Sequence, residues 1–432
     1  MPRYKRQSSD TSATFQGLPR DGQPDPVSNR VQASPSRLER WALKRLLGFI
    51  GNPPLQFVLW NGAQVPKAGG RPLRRVYLHD RQTLWRLVIN PDLHFGDAYT
   101  QGRLDVDGDL VDFLETTYRG IRVGNQEHPL FSLLGKWLAR ARPNTPAGSR
   151  TNIHHHYNLG NDFFRLWLDE DMVYTCAYFP SPALTLEQAQ RAKLDYVCRK
   201  LRLQPGETVI EAGCGWGALA RHMARHYGVT VRAYNLSTEQ VKYARERCAE
   251  EGLERQVEYI EDDYRNITGQ CDVFVSVGML EHVGHANYPA LGGIIDRCLT
   301  ADGRGLIHSI GRDQPYPMNS WIEKRIFPGS YPPTLREMMD IFEPWEFSVQ
   351  DVENLRLHYA RTLEHWLARF DAHNDEVCER FDDAFVRAWR LYLAGSLAGF
   401  STGWLQLFQI VFTRSGHNDI PWTRSHLYEQ KA

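Results

Sequence analysis

The chain has 432 residues, 51 Lys+Arg against 51 Asp+Glu, a hydrophobic share of 42% and a charged share of 24%. That length gives two or three domains with ample core, and the composition argues against a disordered, collagen-like or integral-membrane chain. Zero net charge argues against bulk capture of nucleic acid, and seven cysteines with no C-x-x-C pair argue against a zinc ribbon or disulfide framework and fit a reducing compartment.

Residues 1–36 are rich in Ser, Pro, Arg, Gln and Asp, and their composition predicts a disordered tail. No apolar signal core opens the chain, and no window supplies the ~18 consecutive apolar residues of a membrane span. The expectation is a cytoplasmic protein that meets lipid only from the membrane surface. Residues 37–140 read as a first compact unit. Leu38, Trp41, Ala42, Leu43, Leu46, Leu47 and Ile50 recur at helical spacing, and Gly51, Pro53 and Pro54 stop that helix. Apolar runs at 55–60, 76–78 and 84–89 read as short strands, and 110–118 as a helix. Lys67, Arg71, Arg74, Arg75, Arg81 and Arg86 fall within twenty residues. They are either a solvated basic face or a surface that attracts anionic headgroups, at roughly 1 kcal/mol per well-placed cation.

A Pro/Gly/Ser stretch at 141–151 reads as a linker, followed by a second unit over 152–432. There the pattern turns to alternating helices and strands. A helix at 185–201 opens on a capping box of Thr185 and Gln188, and a second box, Ser237 and Gln240, opens a helix to about 250. Strands are expected at 208–211, 230–235, 257–260, 273–277 and 305–310. This order implies a doubly wound, mostly parallel α/β sheet, whose ligands sit beyond the carboxyl ends of the strands.

Four clusters bear chemistry. Glu211-Ala-Gly213-Cys-Gly215-Trp-Gly217 lies between a strand and a helix, where glycines let the backbone approach a ligand. No phosphate-binding Lys follows, and the G-x-G-x-G spacing differs from a dinucleotide fingerprint. The motif resembles that of class I S-adenosylmethionine methyltransferases. In that class a ribose-binding residue ends the second strand, here Asn235, followed by Leu236 and Gln240; the alternative is a simple turn. Asp263 and Tyr264 follow the third strand, where the class holds adenine; the alternative is a solvated acidic turn. The second cluster, His154 to Phe164 and then Met172 to Phe179, holds three consecutive His, whose adjacency argues against a metal site. Cys176 there sits among aromatics and reads as a buried small hydrophobe. The third is Gly278 to Gly284, with Glu281 at the cofactor's mouth. The fourth is His308 in an apolar strand, either a core histidine or a functional one.

Together these pieces resemble the cyclopropane-fatty-acyl-phospholipid synthase and mycolic acid cyclopropane synthase family over about 151–415. The shared stretches are HYNLGNDFF, YTCAYF, EAGCGWG, LEHVG, IHSIG, WIEKRIFPG and HYARTLEHW, with a block from Trp389 to Gln409. The resemblance implies a Rossmann-like class I methyltransferase sheet with extra helices over the active site, plus a smaller N-terminal α+β domain. It implies S-adenosylmethionine near Tyr174, Thr175, Glu211, Gly213, Gly215, Asn235, Leu236, Gln240, Asp263 and Tyr264. It implies bicarbonate held by Cys176, Glu281, His308, Tyr359 and the carbonyl of Ile310, and no metal. Asn158, Glu211 and Asn235 depart from the commoner family residues.

The implied reaction adds a methylene across the cis double bond of an unsaturated phospholipid acyl chain, at the inner face of the cell membrane. Tyr359, Tyr178, Phe179 and Trp321 are candidates to face the developing cation. The alternatives are a fatty-acyl C-methyltransferase giving a branched product and a lipid-binding protein without catalysis. A homodimer fits the resemblance; a nucleic-acid partner does not.

Overall fold

Ser36 and Glu39 cap each other's backbone and open the first helix, Arg37–Phe49. The computed structural model describes residues 35–66, 74–127 and 159–428. The expected tail up to residue 34, the linker, the three histidines, Asn158, Lys67 and Arg71 lie outside the described residues. After the first helix, β1 (Leu55–Val58), β2 (Gln64–Val65), β3 (Arg74–Leu78) and β4 (Leu104–Val106) form a sheet ordered β2-β1-β3-β4. Three helices, Arg81–Ile89, Pro91–Thr100 and Leu110–Glu127, complete this part of the chain.

One expectation is corrected here: the run at 84–89 is helical, not a strand. Asp80 caps the helix by accepting the Thr83 N–H at 2.8 Å. Leu84 and Leu87, three apart, share the buried face, and Val88 and Ile89 point outward. A short apolar run has no period to separate the two states, so the cap decides.

The second sheet has seven strands: β5 (Thr208–Ala212), β6 (Thr230–Asn235), β7 (Val257–Glu261), β8 (Cys271–Val277), β9 (Leu299–Gly311), β10 (Phe347–Asn354) and β11 (Gln406–Arg414). Their order is β10-β11-β9-β8-β5-β6-β7. Pairing is parallel from β9 through β7, and β11 is antiparallel to both its neighbours. This is the expected doubly wound α/β arrangement. Strand order reverses between β5 and β8, so the crevice for a ligand opens beyond their carboxyl ends. The box at Thr185 and Gln188 forms and opens the helix Leu186–Lys200. The second expected box does not form. Ser237 makes no side-chain cap bond at the helix Thr238–Glu250, because the Gln240 carbonyl oxygen instead accepts from the Asn235 amide at 2.9 Å.

The helices Ser320–Arg325, Arg356–Ala372 and Asp383–Thr402 join the two sheets' territories. One apolar core runs from Leu43 and Phe57 through Phe163, Trp167 and Trp366 to Trp389. Asp97 takes a two-pronged bond from Arg325, at 3.0 and 3.1 Å. Arg387 reaches Asp105 at 2.7 Å, and Arg122 reaches Asp313 at 2.6 Å. At Gly96 the backbone lies so close to Trp321 that a Cβ would stand 2.4 Å from the ring.

Candidate active site

The loop after β5 makes an open cradle. Gly213 has φ +85° and would place a Cβ 2.8 Å from that of Met279, whereas nothing lies within 4 Å of a Cβ on Gly215. Glu211 ends β5 fully enclosed, and burial pushes its carboxyl up to about 7 against the pull of Lys193 and Arg221. Among the described residues its Oε2 has no hydrogen-bond partner. Asn235 closes the cradle, giving one amide hydrogen to the Gly215 carbonyl at 3.1 Å and the other to Gln240. That leaves its Oδ1, which accepts from Ser237 N–H at 3.3 Å, as the atom open to a ligand.

Beyond β8 a short turn carries Glu281, whose Oε1 accepts the Ile310 N–H at 2.6 Å. Burial raises this carboxyl to about 7, and Oε2 has no hydrogen-bond partner among the described residues. His308 is two residues before Ile310 on β9, so both side chains face one side. The Gln409 amide nitrogen meets His308 Nδ1 at 3.0 Å from the neighbouring strand β11. With that amide donating, the neutral ring carries its proton on Nε2, which has no partner among the described residues. Desolvation, reinforced by Lys193 and Lys200, pushes the imidazole well below its ordinary value, so it stays neutral. Glu281, His308, Ile310 and Tyr359 all line one cavity of about 850 Å³. Its far walls come from the N-terminal part of the chain, among them Phe57, Val76, Phe95, Leu104 and Phe113. A long apolar chamber with a few convergent polar atoms suits an acyl-type ligand.

The family model for mycolic acid cyclopropane synthetase matches residues 145–410. A probable fatty acid methyltransferase of Pseudomonas putida is 36% identical over 387 residues, covering 87% of this chain and 96% of its own. The chain belongs to the mycolic acid cyclopropane synthetase family. Another relative is the cyclopropane-fatty-acyl-phospholipid synthase of Escherichia coli K12, 41% identical over 61% of this chain and 68% of the relative. Among solved structures, the cyclopropane synthase MmaA2 of Mycobacterium tuberculosis aligns with a TM-score of 0.59 at 30% identity, over 61% of this chain and 98% of its own. Mycolic acid cyclopropane synthase CmaA1 in complex with SAH and CTAB aligns equally well, at 32% identity over the same shares. As a member of the family, the protein is an S-adenosylmethionine-dependent methyltransferase.

The cradle fits that cofactor: an open glycine loop, a buried acid with a spare oxygen, and a polar strand end lie together at the switch point. The expected cofactor residues fall into three settings. Thr175 lines the cavity and accepts from Lys193 Nζ at 3.0 Å, and Tyr174 lines it with its hydroxyl 2.7 Å from that of Tyr392. Glu211, Gly213, Gly215, Asn235 and Gln240 form the cradle, with Leu236 half-buried beside it. Asp263 is occupied as a cap for the Arg265 N–H and as that side chain's ion-pair partner, and the Arg265 guanidinium covers the Tyr264 ring at 5.0 Å.

Cys176 stands apart from the other expected catalytic side chains. Its thiol is fully buried, points to the carbonyls of Ala177 and Leu355, and is not among the groups lining the cavity. Burial drives it strongly toward the protonated form. Ile310 turns its N–H to Glu281, and its carbonyl accepts from Ser309 Oγ at 2.9 Å. Of the four aromatics expected to face a cation, Tyr359 and Trp321 line the cavity. Tyr178 stacks on Tyr196 and Phe179 on His365, both away from it.

Sequence reasoning missed Gln409 and Lys193. Each carried a signal: a glutamine inside the apolar strand β11, and a lysine on the buried face of a helix. Also missed was the N-terminal share of the cavity, which no local pattern encodes. Among the described residues no cluster of metal-ligand type occurs, and no helix is long and apolar enough to cross a membrane.

Proposed function

We propose that this methyltransferase adds a methylene across the cis double bond of an unsaturated acyl chain in membrane phospholipid, with bicarbonate as the base. The observation that carries the reading is the pair of partnerless buried atoms, Glu281 Oε2 and His308 Nε2, at the polar end of an apolar chamber. S-adenosylmethionine supplies an electrophilic methyl group when bound. The apolar walls hold the chain against the cradle and exclude water, which would otherwise trap the cation that develops. Tyr359 and Trp321 supply aromatic faces to that charge, worth a few tenths to ~2 kcal/mol when desolvated.

The residues fit bicarbonate. Neutral His308 presents an Nε2–H donor, and Glu281, raised to about 7, has a proton to donate from Oε2 while Oε1 stays fixed on the Ile310 N–H. Tyr359 lines the same cavity. A bare glutamate there would repel an anion; a protonated one receives it. The lipid is taken from the inner face of the cell membrane.

The second reading is a methyl-branched or methylene product, favoured by the name of the Pseudomonas putida relative. Purified protein with labelled S-adenosylmethionine and unsaturated phospholipid in mixed micelles separates the two. Loss of the olefin with ring protons in the product supports the first. A product that keeps one olefin, as a methylene or methyl-branched unsaturated chain, supports the second. No label in lipid overturns both.

A further inference from the structure

The helix Arg37–Phe49 divides cleanly into two faces. Ala42, Leu43 and Leu47 are buried, and Leu46 lines the cavity, as does Ile50 just past the helix end. The opposite face exposes Arg37, Arg40, Lys44 and Arg45 together with Leu38 and Trp41, which are 59% and 55% exposed. Its one acid, Glu39, is turned inward to Arg81 at 2.7 Å. Among the described residues none of these four cations forms an ion pair. Arg40 donates to the Pro35 carbonyl, and Arg45 lies over the Trp41 ring at 5.4 Å.

The neighbouring helix Arg81–Ile89 is built the same way. Leu87 lines the cavity on one side, while Val88 and Ile89 are exposed on the other, Ile89 at 79%. Both helices therefore wall the chamber with one face and present large apolar groups outward with the other. A soluble surface gains nothing from an exposed Trp, Leu and Ile beside four cations and no acid. An anionic bilayer accommodates that combination: the ring and aliphatic groups enter the headgroup boundary and the cations meet phosphate.

We infer that the outer faces of these two helices are the docking surface for an anionic phospholipid bilayer, from which the acyl chain enters the chamber beneath. The inference rests on the acyl-lipid reading above and sets the contact on these two outer faces rather than on the basic run at 67–86 as a whole. In that run Arg74 is paired with Asp112 and Arg81 with Glu39.

The test uses the full chain and two double variants at exposed positions, Trp41→Ala/Ile89→Ser and Lys44→Glu/Arg45→Glu. Each is sedimented with phosphatidylglycerol vesicles and with phosphatidylcholine vesicles, and each is assayed for label transfer to lipid in mixed micelles. The wild type is expected to prefer the anionic vesicles, and each variant to lose roughly tenfold or more of that binding. Micellar turnover and thermal melting should stay as in the wild type. Variants that sediment like the wild type overturn the docking surface. A changed mass at sedimentation equilibrium with unchanged vesicle binding overturns it as well, in favour of contact between copies. The vesicle arm needs no turnover, so absence of micellar activity in the wild type counts against the acyl-lipid reading alone.

Discussion

Burial raises the Glu281 carboxyl, and backbone N–H groups, that of Ile310 among them, with the Ser309 hydroxyl hold it back only in part. Glu281→Leu removes the carboxyl and with it the proton that Oε2 can give. His308→Leu removes the imidazole and its Nε2–H. Each is expected to lower turnover by about 10² or more while leaving binding of S-adenosylmethionine unchanged by calorimetry. Near-normal product from both would refute the roles given to them. Gln409→Leu tests the same ring indirectly. Without the amide the His308 tautomer is no longer fixed, so turnover should fall about tenfold with cofactor affinity intact, and Gln409→Asn should restore less than half of it.

The Glu281 carboxyl also makes a statement about stability. It titrates near 7 in the folded chain against an ordinary 4.5, so the folded state holds the extra proton between those values. Its contribution is full below about 4.5, is lost as pH rises to about 7, and is flat above, roughly 3 kcal/mol in all. Glu281→Gln lacks this component. In urea melts its stability relative to wild type should therefore rise between pH 4.5 and 7, with the Glu211 contribution common to both chains. A constant difference across that range would show that the carboxyl is not so perturbed.

At the scale of elements, caps settled what periodicity left open. The run at 84–89 is a helix because Asp80 begins it, so Asp80→Ala should cost ~1 kcal/mol from the cap alone, and more because Arg103 also bonds that carboxylate. The reverse holds at 237–240, where the residues of a capping box are present but Gln240 is drawn to Asn235. The helix forms there anyway, on its buried face of Val241 and Ala244. Strands β5, β6 and β8 were legible as short, mostly apolar runs bounded by turn residues, whereas of β9, Leu299–Gly311, only the apolar end at 305–310 was. Strands β10 and β11 were not expected; β10 is half-exposed along most of its length and shows no clean alternation.

At the scale of the molecule, the chamber depends on how the N-terminal helices sit against Ser320–Arg325. Gly96→Ala would drive a methyl group into Trp321, which itself lines the cavity. The expected result is a loss of about 1–3 kcal/mol with a raised KM for lipid and little change for the cofactor. Asp97→Asn leaves Arg325 without its buried partner and should cost about 3–5 kcal/mol, read as a lowered Tm.

The amino-acid sequence alone determined the doubly wound sheet, the glycine cradle after β5 and the positions of Glu211, Glu281 and His308, because each depends on residues close together in the chain. Only the tertiary structure decided that the Cys176 thiol faces away from the chamber, that Gln409 orients His308, and that the chamber's far wall is N-terminal. Those contacts join residues 101 to more than 200 positions apart, and packing rather than local pattern chooses them.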